Sequence, residues 1–115
     1  MTITPSTPPT CPEATALDLL VDAAETTTGS TAFRAPMQDL AGALHAEDAL
    51  AGLAWGDARL AASAIAHDAC TLDDPARGLR ARAAAVRAGT SCARCADPEG
   101  VAQALGTAAT VLGLM

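Results

Sequence analysis

Between Asp57 and Cys70 the apolar residues return every three or four positions, through Leu60, Ala61, Ala64 and Ile65, and nearly all are small. That period is the one an α-helix needs to carry a continuous apolar stripe. It recurs along the chain: Leu17, Leu20, Val21 and Ala24; Leu79, Ala83 and Val86; Val101, Leu105, Ala108, Leu112 and Met115. The segment after Pro36 is apolar on two sides, with Met37, Leu40 and Leu44 on one and Ala43, Ala46, Leu50 and Leu53 on the other. A helix of that kind sits centrally in a bundle.

Start and stop residues divide these stripes. Asp74-Pro75 and Asp97-Pro98 each pair a capping aspartate with proline at the first helical position, and Thr26-Thr-Thr-Gly29 ends the first stripe. Gly52 and Gly56 around Trp55, with Asp57 as a potential cap, predict a bend; one long helix from 36 to 70 is the alternative. The expected fold is all-α, a small bundle of four to five short helices over 13–115. Residues 1–12, rich in Pro and Thr, read as an extended or disordered tail.

Such a bundle has a thin core. Half of the residues are hydrophobic, yet aromatics make up 2% of the chain, Phe33 and Trp55, with no Tyr. Alanine buries little area, so each helix contact yields less than a Leu or Phe layer would. The chain must gain stability from close backbone approach, from a partner, or from a staple.

One staple is suggested by spacing. His67 and Cys70 share a helical face, and Cys92 and Cys95 form a two-residue knuckle, with segment 71–91 between the pairs. Tetrahedral zinc takes thiolate and imidazole ligands in two such close pairs, so His67, Cys70, Cys92 and Cys95 are the candidate metal ligands. Two other readings stay open. Cys92 and Cys95, just before a helix N-terminus that lowers thiol pKa, suit a reversible dithiol. Alternatively the thiols only pack, cysteine being a small hydrophobe.

The formal net charge of −6 argues against general binding of nucleic acid or anionic membrane. Acids dominate the first half, including Asp18, Asp22, Glu25 and Asp39, whereas Arg77, Arg80, Arg82, Arg87 and Arg94 gather late. The arginines of 75–88 are expected to spread over solvated faces and pair with the acidic half; a basic docking surface is the second reading. Every basic residue is Arg, which together with the alanine excess suggests coding in a GC-rich bacterial genome. With no basic and apolar leader visible, and the charge-free run 100–115 too short to span a bilayer, the expected compartment is the cytoplasm.

Few catalytic patterns present themselves. Ser63, His67 and Asp68 lack a nucleophile elbow or oxyanion loop, and His45 with Asp48 reverses the di-iron order. The run Val101–Val111 resembles the helix-turn-helix pattern of bacterial regulators, one residue short in the turn and without a basic residue on the second helix. The sequence therefore reads as a small non-enzymatic interaction or regulatory protein, with a redox-responsive dithiol protein and a transcription-related accessory factor as the alternatives. Zinc is its candidate cofactor and another protein its expected partner. Self-association is open to it, and membrane is no partner.

Overall fold

The computed structural model describes residues 13–89 and 96–114. Five helices follow one another: α1 (Glu13–Thr28), α2 (Arg34–Ala46), α3 (Trp55–Thr71), α4 (Pro75–Arg87) and α5 (Pro98–Leu114). The fold is an all-α bundle. The tail 1–12 and the knuckle Cys92–Cys95 lie outside the described residues.

Segment 36–70 resolves into two helices, and the break comes earlier than Gly56. The α2 ladder ends at Ala46, where the Glu47 and Ala49 amides both return to the Leu44 carbonyl. Asp48 then takes a left-handed backbone with φ 52° and Gly52 another with φ 81°, conformations that asparagine-like residues and glycine accept most readily. Two tight turns result, and they drop Leu50 and Leu53 into the core. A continued helix would have spread those leucines around its circumference.

At its far end α1 runs through its threonines. The Thr26 and Thr28 hydroxyls donate to the carbonyls of Asp22 and Ala24, four residues back, and the helix stops at Gly29, φ 67°. Both proline starts behave as expected. The Arg77 amide donates to the Asp74 carboxylate at 3.2 Å, and the Gly100 amide donates to Asp97 at 3.1 Å.

Helix α3 is the centre of the assembly, packed against α1, α4 and α5, while α2 closes against α1 and α5. Its buried face is built from Ala58, Ala61, Ala62, Ile65 and Ala66. Small side chains let neighbouring backbones approach, and Leu20, Leu40, Leu44, Leu79 and Leu105 fill the space around it. Leu60, expected inward, is instead 37% exposed. It lies on the side of α3 opposite the alanine row, so the buried stripe is narrower than the sequence count suggests.

Helix α5 is continuous from Pro98 to Leu114. Gly106 introduces no turn, and the positions of the helix-turn-helix resemblance, among them Val101, Leu105, Ala108 and Val111, are buried in the bundle. No second helix exists within 101–111 to read a groove. None of the described helices is long and apolar enough to cross a membrane.

Candidate functional site

Two carboxylates are buried among the described residues, Asp57 and Asp68, each 2% exposed. Both belong to α3, eleven positions apart, which places them about 16 Å from one another along the axis. Each ties the alanine-faced helix to a different neighbour.

Asp57 sits in the first turn of α3 but caps no amide of its own helix. Its Oδ1 accepts the Ala96 amide at 2.9 Å and its Oδ2 accepts the Asp97 amide at 2.8 Å. A carboxylate receiving two backbone N–H groups is a strong, directional clamp. The clamp fixes where α5 begins, and Asp97 in turn caps that helix.

Asp68 performs the equivalent task at the other end. Arg82 of α4 approaches side-on, with Nε 3.0 Å from Oδ2 and Nη2 2.7 Å from Oδ1. Nδ1 of His67 lies 3.2 Å from the same Oδ1. Burial by itself would push the Asp68 carboxyl up. The Arg82 hydrogen bonds, helped by His67, outweigh burial and hold it below the ordinary carboxylate range. The same hydrogen bonds raise Arg82, so the pair is ionised throughout the physiological range.

Of the four candidate metal ligands, the described residues include two. His67 projects from the C-terminal end of α3 with 54% of its side chain exposed, and Cys70 is half-buried one turn further on. Burial pushes the Cys70 thiol up, which disfavours the free thiolate. Cys92 and Cys95 lie outside the described residues. Ala96 and Asp97, which follow them, are clamped beside Asp57, about 15–20 Å along α3 from His67 and Cys70. Among the described residues no three His, Cys, Asp or Glu side chains gather around a common point.

The arginines of α4 do not reach the acidic half. Arg82 turns inward to Asp68, and Arg87 meets Glu99 of α5 at 3.2 Å. Arg34 pairs with Glu25 at 2.6 Å inside the acidic half. The expected pairing across the chain is therefore replaced by pairs within each half. Arg77 and Arg80 on α4, and Asp18 and Asp22 on α1, are exposed and have no ion-pair partner among the described residues.

The α1–α3 seam holds the larger concavity, a cleft of about 620 Å³. Leu19, Ala23 and Leu60 are its apolar lining; Asp22, Thr26, Arg59 and Ser63 are its polar lining. The acidic row Asp18–Asp22–Glu25 on α1 runs alongside. Leu60, read from sequence as core, is the residue that opens this surface. A periodicity count could have located Asp68, because Ala58, Ala61, Ile65 and Asp68 fall on one helical line. No local pattern announces Asp57, whose partners lie 39 and 40 positions away.

No family model, curated relative or solved structure matches this chain.

Proposed function

We propose that this chain is a non-enzymatic helical interaction protein whose contact surface is the α1–α3 cleft. The observation that carries the reading is Leu60, exposed in a cleft lined by Leu19 and Ala23 together with Asp22 of α1 and Arg59 of α3, with Asp18 one turn before Asp22 on α1. An amphipathic helix bearing small apolar residues and arginines is the complementary occupant: its apolar face covers the leucines and its cations meet Asp18 and Asp22. The polar machinery inside the bundle serves architecture. Asp68 is locked to Arg82, Asp57 to two amides, and the Cys70 thiol is disfavoured as a nucleophile.

The test uses a synthetic helix of leucine, alanine and arginine as probe. Amide chemical shifts are expected to move at Ala23, Leu60 and Ser63, and Leu60→Glu is expected to weaken binding by about tenfold or more. Shifts centred on α4 and α5, or binding that survives Leu60→Glu unchanged, would remove the cleft from consideration.

A further inference from the structure

Helix α1 carries Glu13, Asp18, Asp22 and Glu25 and no basic residue; α4 carries Arg77, Arg80, Arg82 and Arg87 and no acidic one. Within one copy these helices flank α3, α1 packing on α2 and α3, α4 on α3 and α5. Arg82, Arg87 and Glu25 are paired elsewhere, but the complementarity of Asp18 and Asp22 with Arg77 and Arg80 is not consumed among the described residues. It is left on the surface.

The outer face of α4 meets the description of the cleft's occupant. Arg77, Arg80, Ala81, Ala84, Arg87 and Ala88 are all exposed, and they lie on one side of the helix at spacings of three and four. The alanines permit close approach to Leu60 and Ala23, and the arginines border them. The axial rise between Asp18 and Asp22, about 6 Å, is close to the rise of about 4.5 Å between Arg77 and Arg80. Two ion pairs can therefore form at once between helices laid side by side.

We infer that the α1–α3 cleft is a self-association site, in which the outer face of α4 from a second copy seats with Arg77 and Arg80 against Asp18 and Asp22. This rests on the cleft being a contact surface at all. A twofold arrangement fills both clefts and closes the assembly as a dimer; without the twofold the same contact propagates. The net charge of −6 opposes two copies meeting at long range. At about 0.1 M salt the screening length is about 10 Å, so that repulsion is damped while pairs in contact persist.

The experiment is sedimentation equilibrium at that salt, with charge reversals on exposed positions that the fold does not use. Wild-type protein is expected to self-associate. Asp22→Arg alone and Arg80→Glu alone are each expected to weaken association by about tenfold or more, since each sets like charges opposite one another. An equimolar mixture of the two variants restores it, because every contact in the mixed assembly then joins opposite charges. Asp39→Arg, on the exposed side of α2, changes net charge equally to Asp22→Arg and is expected to leave association as it was. A wild-type chain that stays monomeric, or a mixture that fails to recover, overturns the inference. If the monomeric chain still takes the leucine–alanine–arginine probe at Leu60, only self-association falls; if it takes neither, the cleft reading falls as well.

Discussion

Replacing Asp57 with alanine tests whether buried carboxylates hold this alanine-faced helix in place. The side chain accepts two backbone amides, at 2.9 and 2.8 Å. Hydrogen bonds to a charged acceptor are worth about 1.5–3 kcal/mol each. Ala96 and Asp97 are exposed residues, so water can take over the released amides, which puts each bond at the lower end and the pair at about 3 kcal/mol. A domain of this size has about 5–15 kcal/mol in total. With a urea slope of about 1.5 kcal/mol/M, the unfolding midpoint followed by circular dichroism should fall by about 2 M. Asp57→Asn keeps one acceptor and turns a donor toward the other amide, so it should lose at least half as much. Hydrogen exchange at Ala96 and Asp97 should accelerate in both variants, well before helices α1 and α2 respond. The reasoning is refuted if Asp57→Ala costs less than about 1 kcal/mol, or if Asp57→Asn behaves as wild type.

Three further outcomes follow from the same geometry. The folded-state pKa of Asp68 lies below its unfolded value, so its contribution is complete above the ordinary carboxylate range and is lost as pH falls through that range and below. In Arg82→Met burial is opposed by His67 alone: that variant should be about 3 kcal/mol less stable at neutral pH and recover part of the loss on acidification, measured by urea midpoints across pH. Alkylation at Cys70, followed by peptide mass mapping, should be slow at neutral pH in the folded protein and fast in urea, because burial disfavours its thiolate; equal rates would contradict that burial. Treatment with a chelator should leave helicity and the urea midpoint unchanged if the Asp57 and Asp68 clamps suffice to hold α3. Loss of helicity together with loss of a bound zinc-sized mass would establish His67, Cys70, Cys92 and Cys95 as a structural centre.

Much of the fold was readable because it depends on local chemistry. The Asp74-Pro75 and Asp97-Pro98 starts and the apolar period of α4 and α5 act within a few residues, and they appear where the spacing places them. The break between α2 and α3 includes Gly52, as the glycines suggest, but it begins earlier, after Ala46, because Asp48, an ordinary residue, takes a left-handed conformation. Leu60 was misassigned for a different reason. In a helix whose inward residues are mostly alanines, leucine looks like the natural core residue, but the buried row runs through Ala58, Ala61, Ala62, Ile65 and Ala66, and Leu60 falls on the other side. The zinc staple expected at His67, Cys70, Cys92 and Cys95 rests on two residues outside the described ones, Cys92 and Cys95. A thin core did call for tethers, and those found on α3 are aspartates whose partners are distant in sequence, beyond any local pattern.

Those tethers also determine what the surface is left with. Arg82 is drawn inside by Asp68 and Arg87 is occupied by Glu99, so α4 retains Arg77 and Arg80 as its unpaired cations. On α1, Arg34 engages Glu25 and leaves Asp18 and Asp22. Each half thus satisfies its own buried or adjacent charges first, and the residue of that process is two small, opposite, outward-facing pairs separated by α3. Exposed ion pairs contribute little within one folded chain, so stability does not explain why opposite signs segregate onto different helices. The proposed recognition would use that segregation, because steering and register between molecules depend on such separated patches. The cleft at Leu60 supplies the apolar contact that charge alone lacks. Asp22→Arg and Leu60→Glu should consequently weaken one association by different routes, the first chiefly by slowing encounter and the second chiefly by speeding release. Equal effects on both rates from both substitutions would separate the charge pattern from the cleft.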